Sequence, residues 1–199
     1  METNEGMRIA WVLGWAVPAD WFAAEAARAF PRAEHLSVPA AQNWRARLES
    51  LPVCDALGAY SLGALLLLGA RGWVAERWSR VSLLAPIWAF PSEAGRGGRI
   101  ARAHLRMLSR RVHRDPERAA AEFRNWAGLG AAQGPVAPIE TLCWGLDQLD
   151  GRVAEPGLPP GWVAFAGAAD RLWSTTIKTP HGRRLKLPTA EGSGFGPST

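Results

Sequence analysis

Cysteine and histidine are scarce in these 199 residues, with two of the first and four of the second. Cys54 and Cys143 have no metal-ligand spacing and form no disulfide framework, a usage that fits a reducing cytoplasm. Long apolar runs are also missing. The greasiest, residues 62–70, falls far short of the roughly 20 residues a bilayer-crossing helix needs. The opening residues, Met1 to Gly6, are polar and acidic, the wrong character for a signal peptide. A soluble cytoplasmic protein is therefore expected. What is present is a chain with 48% hydrophobic residues, enough for one domain with a real core and too many for general disorder. Eleven tryptophans are scattered along it, and most are expected to be core or cleft wall.

The charge is uneven. The net value is +5, and nine arginines (Arg96, Arg99, Arg102, Arg106, Arg110, Arg111, Arg114, Arg118 and Arg124) crowd the middle of the chain against Asp115, Glu117 and Glu122. Such a patch suits an acidic partner. No nucleic-acid motif accompanies it, and neither nucleic acid nor membrane is expected. A solvated helix face is the plain alternative.

Apolar strand-like runs at 8–13, 35–38, 53–60, 80–87, 162–166 and 184–187 alternate with helical spacing at 20–30, 40–50 and 62–70. That alternation predicts a mostly parallel, doubly wound α/β sheet. Residues 91–150 differ and read as an entirely helical block. Leu105, Leu108 and Val112 mark one face of the first helix, and Arg102, Arg106 and Arg110 line another at i, i+4 spacing. Asp115-Pro116-Glu117 starts the next helix, residues 128–138 form a Gly/Pro/Ala-rich loop, and 139–149 close the block. The expected division is a core of residues 1–90 and 151–199, with 91–150 inserted as a lid.

Ser61 falls between the strand run 53–60 and the helix run 62–70, with Ala59 and Gly63 two residues away on either side. A serine on so tight a strand-to-helix turn has its hydroxyl pushed out over the sheet edge. This is the nucleophile elbow of α/β-hydrolases, with alanine for the usual first glycine. Acyl-transfer chemistry also needs oxyanion donors, an orienting acid and a base. The N–H of Leu62 is one expected donor. The N–H of Trp15, after Gly14 at the end of the first strand, is the other. Each such donor is worth about 3 kcal/mol in the transition state. Asp170, beyond the run at 162–166, stands where the orienting acid belongs.

The base is missing. A histidine should follow the last strand, yet residues 189–197 hold none. His35, His104, His113 and His181 all lie elsewhere, the last before strand 184–187. The reaction envisaged calls for no metal or cofactor.

Gly14-Trp15, Tyr60-Ser61-Leu62-Gly63, Leu84-Ala85-Pro86, the arginine-rich helical block and Gly167-Ala168-Ala169-Asp170 together resemble the compact pimeloyl-[acyl-carrier protein] methyl ester esterases of biotin synthesis. The resemblance spans roughly residues 8–197. It implies a compact α/β-hydrolase fold with an inserted helical lid, and hydrolysis of the methyl ester on a carrier-bound acyl chain. It also implies contact between lid arginines and the acidic carrier protein, for which Arg102, Arg106, Arg110, Arg111 and Arg114 are the candidates. The terminal motif of that family, a histidine closely followed by phenylalanine, lies best on Gly192-Ser193-Gly194-Phe195. Glycine then occupies the histidine position, either as an engineered change or as a natural loss. A second register puts Phe195 there. The alternatives are another short-acyl esterase or thioesterase, and a catalytically dead hydrolase homologue that binds acyl-carrier protein.

Overall fold

The computed structural model describes residues 6–167, 170–172, 176–178 and 184–186. Gly192 and His181 lie outside the described residues.

Five parallel strands make the main sheet: β1 (Arg8–Val12), β2 (Glu34–Val38), β3 (Ala56–Tyr60), β4 (Val81–Leu84) and β5 (Trp162–Phe165), in the order β2-β1-β3-β4-β5. β1 is apolar on both faces because both are covered, as parallel strands require. Ile9 and Trp11, with Leu13 just beyond the strand, pack against Phe22 and Ala26 of α1 (Ala19–Ala29). Ala10 and Val12 turn to the other side, toward α2 (Trp44–Glu49) and α3 (Leu62–Leu68). The Trp11 indole meets Phe22 edge-on at 5.3 Å and lies over Gly58, its register partner on β3. A Cβ on Gly58 would sit 2.1 Å from that ring.

Several boundaries differ from the sequence reading. The helix expected over 40–50 starts only at Trp44, after turns at 40–43. The helix expected over 62–70 stops at Leu68, and a further helix, α4 (Arg71–Ala75), follows Gly69. The block at 91–150 is not entirely helical: residues 91–101 hold no α-helix, but a 3-10 turn, Ser92–Ala94, and isolated bridge positions, among them Pro91 with Ile100. Its three helices are α5 (Arg102–Arg114), α6 (Pro116–Trp126) and α7 (Ile139–Gly151). The Asp115 side chain caps α6 by accepting the Arg118 N–H at 3.0 Å.

The largest correction concerns the last strand. β7 (Arg184–Lys186) does not join the parallel sheet. It pairs antiparallel with β6 (Thr176–Lys178) in a separate two-stranded sheet. An apolar run reveals a strand but not its partner, and a hairpin needs only a short connection where a parallel pairing needs a crossover.

Candidate active site

The strand order reverses between β1 and β3: from β1 the chain moves to one side for β2, then returns to place β3 on the other. In open α/β sheets the crevice at such a switch point, outside the carboxyl ends of the strands, is where ligands sit. Here the two strand ends carry Gly14-Trp15 and Ser61.

Ser61 has φ 52° and ψ −111°, a region that turns normally give to glycine. The strain, of order 1–3 kcal/mol, is held by the fold. The Ser61 N–H donates to Leu84 O at 3.0 Å, and its carbonyl accepts from the Leu65 N–H at 3.1 Å. Among the described residues the other non-glycine positions with positive φ are Ala16 (56°) and Ala85 (45°). All three follow the carboxyl ends of main-sheet strands. Backbone strain is concentrated around one spot, as at functional sites.

That spot is a cavity of about 30 Å³ lined by Trp15, Tyr60, Ser61, Ala85 and Asp170, with Phe90, Phe123 and Leu129 among its apolar walls. It has room for one small group and none for an acyl chain. A Cβ on Gly14 would lie 3.2 Å from the Ser61 Cβ, so the loop after β1 touches the elbow. Leu62 is the first residue of α3, and its N–H therefore has no intrahelical acceptor. Ser61, Trp15 and Asp170, nominated from three separate stretches of sequence, line the same cavity, and Leu62 follows Ser61 directly.

Asp170 is held from both sides. Its Oδ1 accepts the Leu172 N–H at 2.9 Å, while Arg99 donates Nη1–H to the Asp170 carbonyl at 2.9 Å and its own N–H to Leu172 O at 3.0 Å. Tyr60 feels that carboxylate. Burial first, and the Asp170 charge second, push its phenol well above the usual value of 10. Tyr60 is the only tyrosine in the chain, so phenolate absorbance reports it alone. A folded-state pKa above the unfolded one means the native state keeps a proton the unfolded chain releases. The resulting stability is complete below pH 10 and is lost as the pH rises beyond it. In an alkaline titration the phenolate signal is expected to emerge together with unfolding. A reversible phenolate step near 10 in folded protein would contradict this.

No described histidine lines the cavity. His35 is across the sheet, accepting the Trp11 Nε1–H on Nδ1 at 3.0 Å with Nε2 against Phe30 O at 3.1 Å. His104 lies beside Trp126, and His113 contacts Cys143.

The arginines divide sharply. Arg102 pairs with Asp150 at 3.1 Å, and Arg111 pairs with Glu122. Two of the five candidates are thus engaged within the lid. Arg106, Arg110 and Arg114 are exposed, spaced i, i+4, i+8 along α5. Arg124, which sequence reasoning placed only in the general run, reaches the loop after β1, while Arg99 reaches Asp170. Arg124 is half-buried, and its Nη1 reaches the carbonyl of Ala16 at 3.4 Å. Its place immediately after Phe123, on the buried side of α6, was the available signal.

Sheet, elbow and cavity define the α/β-hydrolase fold. No family model and no curated protein matches the sequence, but solved structures match the fold. A hydrolase from Oleispira antarctica superposes with TM-score 0.62 at 11% identity, over 93% of this chain and 82% of that one. BioG from Haemophilus influenzae superposes with TM-score 0.54 at 14% identity, over 96% and 90%. The bottromycin epimerase BotH, in complex with bottromycin A2, gives TM-score 0.54 at 18% identity, over 93% and 83%. Among the described residues no helix is long and apolar enough to cross a membrane.

Proposed function

We propose that the chain is a serine carboxylesterase of the type that converts pimeloyl-[acyl-carrier protein] methyl ester and water into pimeloyl-[acyl-carrier protein] and methanol, disabled by glycine at position 192. The observation that carries this reading is Ser61, strained at φ 52° on its elbow and sharing one cavity with Trp15 and Asp170. The likeness in fold to BioG supports the substrate class, and the exposed row Arg106, Arg110 and Arg114 supports an acidic carrier.

In this mechanism the Ser61 Oγ attacks the ester carbonyl while a base takes the hydroxyl proton. The Leu62 and Trp15 N–H groups receive the negative oxygen. Collapse expels methoxide, which leaves as methanol with the proton held by the base. Water then cleaves the acyl-serine by the same steps. Asp170 orients the base. With Gly192 in the base position the serine keeps its proton, and the first step stalls.

A second reading, a binding homologue without turnover, draws on the absence of histidine from the described cavity wall. A third, a small-ester esterase or thioesterase, draws on the size of that cavity. Fold alone decides none of these, and one of the similar structures is an epimerase. Methanol release from the carrier-bound methyl ester, by this chain and by Gly192→His, is the test. The proposal expects histidine to raise the rate by about two to four powers of ten. It also expects the rate at low substrate to fall as salt is added, because exposed charges are screened. Silence from both folded proteins would favour the binding homologue. Turnover indifferent to salt and to the carrier would favour the small-ester enzyme.

A further inference from the structure

We infer that the lid positions the oxyanion loop through two side chains, Trp15 and Arg124, so that the Trp15 N–H is aimed by helices α6 and α7. The catalytic part of this inference rests on the serine-esterase reading above; the mechanical part stands on contacts alone.

Two lid helices grip consecutive residues of one loop. The Trp15 indole N–H donates to the Leu142 carbonyl of α7 at 2.8 Å, in a buried bond between residues 127 apart in sequence. The ring fits because position 145 is glycine. A Cβ there would stand 2.4 Å from Trp15 Cδ1. From α6, Phe123 meets the indole edge-on at 4.7 Å. Arg124 then reaches past it to the Ala16 carbonyl. Ala16 is itself strained at φ 56°, a conformation that persists only where the surroundings over-determine it. Arg124 makes no ion pair among the described residues, and burial lowers its pKa. A partly buried cation set 3.4 Å from a backbone carbonyl gives that carbonyl a long but directed restraint.

Both anchored groups follow the donor closely. The Trp15 side chain and the Ala16 carbonyl lie on the chain just after the Trp15 N–H. Fixing both restrains the Trp15 Cα and so narrows the directions its N–H can take, and among the described residues no hydrogen bond engages that N–H. Oxyanion donors act only when held close to the productive geometry. A displacement of α6 and α7 therefore changes the aim of the donor, which makes Trp15 and Arg124 positioning residues that couple lid to elbow.

The test uses the full chain and the variants Trp15→Phe, Arg124→Met and Arg124→Lys. The first readout is native-state amide hydrogen exchange. Trp15→Phe and Arg124→Met are expected to speed exchange at residues 14–17 by about fivefold to tenfold, the worth of one hydrogen bond. Peptides from α5 and α7 should stay unchanged, and Arg124→Lys should recover most of the protection. The second readout, taken in the Gly192→His background, is the affinity of phenylboronic acid, which forms a tetrahedral adduct on a serine oxygen once a base takes the hydroxyl proton. It is expected to weaken by a similar factor in both variants at little change in melting temperature, and to vanish in Ser61→Ala. Unaltered exchange at 14–17 in both variants overturns the inference. So does a rise spread evenly over the lid, which would mean general loosening. If the boronate never binds at Ser61 even with Gly192→His in place, the esterase reading fails, and exchange still decides whether the lid holds the loop.

Discussion

Ser61→Ala, made beside Gly192→His, is expected to reduce methanol release by about 10³-fold or more, to the level left by the oxyanion donors and binding alone. The loss is chemical and not structural. Ser61 contributes its backbone to the fold through bonds to Leu84 and Leu65, and alanine keeps both. Alanine also keeps the strain, because its Cβ meets the same crowding at φ 52°. Glycine does not. Ser61→Gly should abolish turnover as fully while raising stability by about 1–3 kcal/mol, which for a chain of this length is roughly 2–10 °C in melting temperature. The pair separates the two roles of the position. Turnover within tenfold of the parent in Ser61→Ala would remove this residue as nucleophile. A melting temperature lowered by glycine would remove the strain argument.

Gly63→Ala should unfold the protein or cost more than about 4 kcal/mol. A Cβ at this position would stand 2.0 Å from the Val12 carbonyl oxygen, 2.6 Å from its carbon and 2.8 Å from the Leu13 oxygen. Those atoms are backbone at the carboxyl end of β1, which β2 and β3 hold from either side, so they cannot step aside as a side-chain tip would. Overpacking usually costs about 1–3 kcal/mol where neighbours can adjust; here the neighbour is the middle of a sheet. Gly72→Ala is the matched control. Within α4 a Cβ on Gly72 would meet nothing within 4 Å, and alanine there should add about 0.5–1 kcal/mol. Urea unfolding of both variants measures the contrast. A Gly63→Ala protein within 1 kcal/mol of its parent would mean that helix and strand are less closely apposed than the structure has them.

Ser61 and Gly63 were legible in the sequence because an elbow is a local object, a few residues whose types are dictated by one turn. The five main strands were legible for the same reason, as short apolar runs between breakers. Pairing was not. Arg184–Lys186 reads as a strand, but whether it extends a parallel sheet or folds back on Thr176–Lys178 depends on contacts its own residues do not encode. The arginines show the limit most clearly. Spacing along α5 groups Arg102 with Arg106 and Arg110, yet Arg102 is tied to Asp150 on α7 and Arg111 to Glu122 on α6. Helical periodicity describes one cylinder and cannot see the neighbouring ones. Gly145 was similarly opaque, since its reason for being glycine is a tryptophan ring from the far end of the chain.

α3 is buried along its whole length: every residue from Leu62 to Leu68 is out of water. A helix on the outside of a domain keeps a polar stripe; this one has none, and α7 is packed on it. The sheet with α3 is therefore not a finished body to which residues 91–150 are merely added. Cut away the insert, and the apolar part of α3 that α7 covers would meet solvent, so a trimmed core should aggregate more readily than the whole chain. The same burial opposes a wide hinge opening, since each turn of α7 lifted from α3 wets leucine. Phe123, Ala127 and Leu129, which wall the cavity from the inserted segment, are side chains that would have to step aside for a longer ligand to reach Ser61 from that direction.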